Sequence, residues 1–294
     1  MSSTSSMNSE HLSADQSGEL QRPVLRYHGG KWKLAEWIIG HMPPHRIYVE
    51  PFGGGASVLM RKPRSYAEVY NDRWSEVVNV FRVLRQADAA AELDRLLRLT
   101  PYSRDEFFAT YEVAVDPVEE ARRTILRSFA GFGSGAVNRD HVTGFRANSN
   151  RPGTTPAQDW QHYPDHIPAF VARLQGVVIE HRDALDVIAQ HDTAETLFYV
   201  DPPYPHATRN IRRTSAVYAV EMSDEQHERL AGVLRDVRGM VMLSTYRSEM
   251  YDRLYTGWTC IERETHADGA RYRVEQLWLN PACATAQRQQ RLIA

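Results

Sequence analysis

The chain has 294 residues, 42% of them hydrophobic and 24% charged, which is enough to bury an α/β core and still carry a second, smaller unit. No apolar run approaches the ~20 residues of a membrane span, and a formal charge of -2 excludes any global attraction to nucleic acid, so such a partner must be held by local patches. The two cysteines, Cys260 and Cys283, show no zinc-type spacing and no basic-then-apolar leader is evident, so no metal and a reducing, cytoplasmic setting are expected.

Residues 1–20 are Ser-rich and poor in large apolar groups, so they read as a disordered tail. Next comes Arg26-Tyr27-His28-Gly29-Gly30-Lys31, ahead of a helix carrying Leu34, Trp37 and Ile38. The two glycines permit close backbone approach and would aim Lys31 at a crevice. The run Ile47-Tyr48-Val49-Glu50-Pro51-Phe52-Gly53-Gly54-Gly55-Ala56-Ser57 reads as strand, glycine turn and helix start, with room for a nucleoside-like group. Its spacing departs from the dinucleotide fingerprint, so a pyrophosphate cradle is disfavoured. A second strand, Tyr66–Asn71, ends in Asp72, 19 positions after Gly53 (72 − 53). Doubly wound folds place there an acid that accepts from ribose hydroxyls, although Asp72 could equally cap the helix beginning near Arg73.

Trp74, Val77, Val78, Phe81 and Leu84 recur at helical spacing and predict a crossover helix packed on the sheet. From about Leu84 to Leu174 the text changes to helical patterns up to Ala130, then a polar segment rich in Gly, Asn and Arg. This stretch reads as an insertion. Within it, residues 121–151 hold six arginines (Arg122, Arg123, Arg127, Arg139, Arg146, Arg151) against one acid, Asp140, a local balance of +5. Phe129, Phe132 and Phe145 are interspersed, a combination suited to phosphate contact and base readout.

The β-pattern resumes at Val177–His181, followed by Asp183, which could accept from an adenine amino group. The run Leu197–Val200 then stops at Asp201-Pro202-Pro203-Tyr204, where two prolines forbid both helix and ladder continuation. Residues 205–220 add Arg209, Arg212 and Arg213 with no acid, a second basic patch of +3. Ser223 and Gln226 form a capping-box pattern, and Leu230, Val233, Leu234 and Val237 supply the buried stripe of a helix. Met240–Thr245, Thr259–Arg263 and Gln276–Asn280 complete about seven strands. The division expected is residues 21–84 and 175–283 for the α/β unit, 85–174 for the insertion and 284–294 for a C-terminal tail.

The tetrapeptide carries the chemistry. A turn at the end of a buried strand presents an acid, a proline carbonyl and an aromatic ring to the crevice. An exocyclic amine is a poor nucleophile because its lone pair is delocalised. If Asp201 and the Pro202 carbonyl each accept one amino proton, the lone pair is freed to attack a methyl donor. Tyr204 would stack on the base, and a base inside a duplex must first be flipped out.

Four motifs in this order carry a family resemblance: Tyr27-His28-Gly29-Gly30-Lys31, Glu50-Pro51-Phe52-Gly53-Gly54-Gly55, Asn71-Asp72 and Asp201-Pro202-Pro203-Tyr204. Over roughly residues 24–283 the sequence resembles the Dam-type, D12-class DNA adenine-N6 methyltransferases. The resemblance implies a Rossmann-like S-adenosylmethionine-dependent methyltransferase fold of about seven strands, with an inserted, mostly helical DNA-recognition domain. It implies catalytic roles for Asp201, Pro202 and Tyr204, and a cofactor site lined by Tyr27, Lys31, Phe52, Gly53, Gly55, Asp72, Asp183 and Asp201. Double-stranded DNA would be contacted by Arg127, Arg139, Arg146, Arg151, Arg209, Arg212 and Arg213, with the protein acting as a monomer. Better-studied members carry an Asn-Val-Pro-Phe-Gly-like run where this chain reads Arg127-Ser128-Phe129-Ala130-Gly131-Phe132-Gly133-Ser134-Gly135. The chain therefore looks closer to phage-borne members, and the resemblance carries no expectation of a GATC target. Three rivals remain at this level. Cytosine-N4 enzymes usually have Ser in place of Asp201, protein glutamine methyltransferases have Asn there, and a silent DNA-binding module would keep the fold without the chemistry.

Overall fold

The computed structural model of the chain describes residues 20–150, 153–205, 220–267 and 271–293. The expected tail thus lies almost entirely outside the described residues, and Arg151, Arg209, Arg212 and Arg213 lie outside them too.

Seven strands form one sheet: β1 (Ile47–Glu50), β2 (Ala67–Asn71), β3 (Val177–Glu180), β4 (Thr196–Val200), β5 (Met240–Tyr246), β6 (Thr259–Ala267) and β7 (Arg271–Leu279). Their order is β3-β2-β1-β4-β5-β7-β6. The first five pair in parallel, and β7 runs antiparallel to both β5 and β6. Parallel strands covered on both faces need continuous apolar runs, and all five residues of β4 are buried.

The period-2 alternation of each strand splits the core in two. Tyr48, Tyr70, Tyr199, Met242 and Leu277 face one cluster, while Val49, Val69, Phe198, Val200 and Leu243 face the other. The first face is covered by α1 (Ala35–Ile39), α2 (Ser57–Arg61) and a block of six helices between β2 and β3: α3 (Ser75–Leu84), α4 (Ala87–Leu99), α5 (Arg104–Ala109), α6 (Pro117–Ala130), α7 (Pro156–Gln161) and α8 (Ile167–Leu174). The second face is covered by α9 (Ala184–His191), α10 (Asp224–Asp236) and α11 (Glu249–Leu254). The anticipated capping box at Ser223 and Gln226 opens α10.

The six-helix block centres on α6, which starts with an Asp116 cap and Pro117 in its first turn and ends at Ala130. Beyond it the chain folds back on itself, with Phe132 N donating to Gly144 O and Arg146 N to Ala130 O, both at 2.8 Å. The core of the block is continuous with that of the sheet. Leu93, Phe107, Ile125, Phe129, Trp160, Tyr163 and Phe170 belong to the same buried cluster as Tyr48, Tyr70 and Leu277 of the sheet.

Two expectations change. Strands β6 and β7 pair from Thr259↔Leu279 to Ala267↔Arg271, longer than their apolar centres alone indicated. The segment expected to be a C-terminal tail is α12 (Pro281–Ile293). Asn280 Oδ1 accepts from Cys283 N at 2.9 Å, and Cys283 and Ala284 enter the core. Cys260 and Cys283 are free thiols. No helix among the described residues is long and apolar enough to cross a membrane.

Candidate active site

In the order β3-β2-β1-β4-β5 the chain turns to opposite sides of β1, and such a switch point leaves a crevice beyond the carboxyl ends of β1 and β4. The turn leaving β1 is glycine-rich for a local reason. A Cβ on Gly53 would fall 2.2 Å from a Tyr70 ring carbon, and Gly54, at φ +47°, lies under the Tyr27 ring. The glycines therefore make room first for two aromatic rings of the protein itself. Tyr70 Oη donates to Gly54 O at 2.8 Å, and Gly53 N donates to Asn71 O at 2.7 Å.

Asp72 completes this clamp. One of its oxygens accepts from Gly54 N and the other from Trp74 N, each at 2.8 Å. Both sequence readings thus have a structural basis, since the acid caps the entry to α3 and also lines the crevice. Burial pushes its carboxyl above the ordinary value despite the backbone amides of Trp74, Gly54 and Arg73. Helix α2 follows Ala56, whose φ of 52° and lack of a side-chain cap leave the first turn underprovided. Glu50 supplies the missing acceptor from the strand: its Oε1 receives Leu59 N at 2.7 Å and Tyr48 Oη at 2.6 Å. Glu50 is 2% exposed, and burial pushes its carboxyl up to about 7.

At the end of β4, Asp201 meets Lys31. The ammonium is 2.8 Å from each Asp201 oxygen and donates at 2.8 Å to the Gly29 carbonyl. Burial raises the Asp201 carboxyl to about 6, opposed by Lys31 and reinforced by the negative charge of Glu275. Tyr204 is placed differently from expectation. It is buried, its hydroxyl donates to Glu275 Oε1 at 2.7 Å, and its ring meets Tyr246 edge-on at 4.5 Å between centroids. Lys31 Nζ lies 4.8 Å above the ring centroid, and Tyr204 is not among the described residues that line the cleft.

One cleft is lined by Tyr27, Lys31, Phe52, Gly53, Gly55, Asp72, Asp183, Asp201 and Pro202. The structure therefore brings together every residue expected at the cofactor site, from five separate stretches of chain. Asp183 also caps α9 through Leu185 N at 2.9 Å and pairs with Arg73 at 3.1 Å. Glu50, Trp74, Met222, Gln226 and Arg229 line the same cleft without having been assigned to it from sequence. An acid at the end of an apolar strand was the available signal for Glu50.

The expected basic surface of residues 121–151 is largely internal. Arg127 is fully buried, donating to Val137 O at 3.0 Å and Thr110 O at 2.5 Å and pairing with Glu76. It cannot reach a phosphate. Arg139 pairs with Glu76 at 2.7 Å and Glu120 at 2.6 Å, while Arg122 and Arg123 both pair with Glu119. The counted +5 is offset by acids on α3 and α5 and at the start of α6 that a local window does not see. Arg146, half-buried, donates to Phe129 O at 2.8 Å.

The description "D12 class N6 adenine-specific DNA methyltransferase" matches residues 27–268. The type II methyltransferase M.MjaIII of Methanocaldococcus jannaschii is 22% identical over 268 residues, covering 80% of this chain and 88% of that protein. The DNA adenine methylase of Serratia marcescens is 27% identical over 192 residues, covering 62% of this chain and 67% of the relative. The match encloses the glycine turn, Asp72, Asp201 and the whole six-helix block, and the chain belongs to the D12 class of N6 adenine-specific DNA methyltransferases.

Proposed function

We propose that the cleft binds S-adenosylmethionine and that Asp201 and the Pro202 carbonyl present the target amine to it. The observation that carries this reading is the meeting of Asp72 and Asp201, from the ends of β2 and β4, on either side of the glycine turn in one cleft. The residues suit this cofactor. Asp72 accepts backbone amides of Gly54, Trp74 and Arg73, which leaves one of a carboxylate's roughly four acceptor positions for a ribose hydroxyl. Glu50, Asp72, Asp183, Asp201 and Glu221 outnumber Lys31, Arg73 and Arg229 along the walls, which favours a cationic sulfonium over a polyphosphate.

Bound there, S-adenosylmethionine supplies a methyl group on positively charged sulfur. The protein's part is positional. Asp201 and the Pro202 carbonyl each accept a hydrogen bond from one N–H of the amine, which aims its lone pair at the methyl group. Phe52, Tyr27 and Trp74 bound the cleft and restrict water. The target adenine is flipped from double-stranded DNA to reach Asp201. The six-helix block would read the target, because its returning loop sits at the cleft mouth: His28 Nδ1 lies 3.2 Å from Ser134 Oγ, beside the exposed Phe132. One copy of the chain suffices for these groups, consistent with a cytoplasmic monomer.

The test is transfer of labelled methyl from S-adenosylmethionine to adenine-containing duplexes of varied sequence, for which incorporation at N6 is expected. Asp201→Ala should lower that transfer by about a hundredfold or more while leaving DNA affinity nearly unchanged, because the acid acts on the amine and not on phosphates. Absence of transfer across the whole sequence set, with intact DNA binding, would leave a silent DNA-binding module as the better reading.

A further inference from the structure

Strand β7 sends one acid under the reaction centre. Glu275 is 2% exposed, and its Oε1 accepts from the Tyr204 hydroxyl at 2.7 Å and the Ser244 hydroxyl at 2.9 Å. Lys31 Nζ stands 3.5 Å from the same oxygen and 2.8 Å from both oxygens of Asp201. One ammonium therefore lies between the buried carboxylate of Glu275 and the partly exposed one of Asp201. Desolvating the second carboxylate costs several kcal/mol, and a neutral amide would accept from both hydroxyls equally well. What only the carboxylate adds is its charge.

That charge bears on Asp201. A lone Lys31–Asp201 pair would be a closed ion pair, with both acceptor oxygens engaged by the ammonium and poorly available to an incoming amine. A second carboxylate on the far side draws the ammonium toward itself and lets it turn away without being left unpaired. Resting on the adenine-methylation reading above, we propose that Glu275 is a positioning residue that shares Lys31 with Asp201 and so frees the Asp201 oxygens for the target amine. The Tyr204 hydroxyl, held by the same oxygen, ties β7 to the turn that carries Asp201. The charged and titratable groups bearing on Asp201 are Lys31, Glu275, Tyr199, Tyr204 and Glu50.

Glu275→Gln keeps both hydroxyl acceptors and removes only the charge, whereas Glu275→Asp keeps the charge and disturbs the hydrogen bonds. Both variants are assayed for methyl transfer with the full chain, and Asp201 is titrated by carboxyl carbon NMR without DNA. E275Q is expected to lose about tenfold in kcat, the equivalent of one pKa unit, with KM for S-adenosylmethionine and the thermal midpoint unchanged. Its Asp201 titration midpoint should fall, because a like charge has gone. E275D should retain more kcat than E275Q and keep the midpoint close to wild type. A purely structural role predicts the reverse ranking. An unmoved midpoint in E275Q, or a kcat for E275D below that of E275Q, overturns the proposal. If the wild-type protein transfers no methyl to any duplex, the functional reading fails by itself, and the titration still decides whether Glu275 acts on Asp201.

Discussion

Glu50 shows how a single buried side chain can serve local structure and carry a pH cost. Its carboxylate caps α2 from the neighbouring strand, and its proton is held up to about pH 7 against an ordinary value of 4.5. Between those two values the unfolded chain has released a proton that the native state keeps. Stability therefore falls as pH rises from about 4.5 to about 7, by up to about 3 kcal/mol. Asp201, raised from 3.8 to about 6, adds a loss of the same sign over a lower window. Glu50→Gln keeps the acceptor for Leu59 N and removes the larger of these titrations. Urea denaturation at pH 5 and pH 8 should show wild type weaker at pH 8, and a clearly smaller difference in E50Q. An equal difference would mean that the Glu50 carboxyl titrates normally in the native state. At this scale the cleft residues were legible from the motifs, since Lys31, Asp72 and Asp201 each stand next to a turn whose chemistry is local. The orientation of Tyr204 was not, because it is set by Glu275, 71 positions away.

Among the elements, α6 best separates what charge counting can and cannot reveal. Its arginines look like a nucleic-acid surface when only neighbours in sequence are summed. In the fold, Arg127 passes beneath the helix to Thr110 O, Val137 O and Glu76, joining α3, α6 and the returning loop. Truncating one side of a buried ion pair costs about 3–5 kcal/mol. Arg127→Ala should therefore lower the thermal midpoint sharply while leaving the salt dependence of DNA binding unchanged, since no phosphate contact is lost. A reduced salt slope with normal stability would return Arg127 to the DNA interface. The strands were easier to read. The central strand β4 is a continuous apolar run, Leu197–Val200, of the kind that a parallel sheet covered on both faces requires. The arms of β6 and β7 were underestimated because their outer ends, Glu264-Thr265-His266 and Arg271-Tyr272-Arg273, are mostly polar residues that pair through the backbone without an apolar signature.

For the molecule as a whole, the helical block and the sheet share one core. Trp160, Tyr163 and Phe170 pack in the same cluster as Tyr48 and Tyr70, and Tyr163 Oη donates to Val24 O at 2.8 Å near the start of the described chain. A block inserted between two strands of a sheet looks separable in sequence, but the apolar interior of this one runs on without a break into that of the sheet it covers. Calorimetry should show one cooperative transition for the full chain. Two resolved transitions would establish an autonomous recognition unit. Deleting residues 85–174 should accordingly leave an aggregating remainder with its first sheet face exposed.

The position of β7 between β5 and β6 has a consequence for how the protein is made. On the ribosome Lys31 emerges early, Asp201 follows 170 residues behind it, and Glu275 comes later still. At about 5–20 residues per second, this separates the first charge of the reaction centre from the last by tens of seconds. Until β7 has emerged and slotted in beside β5, Tyr204 has no Glu275 to hold it and the sheet ends at an unpaired edge. A chain cut short before β7 would therefore lack Glu275, and the capacity to modify DNA would follow only once β7 has been made and paired with β5.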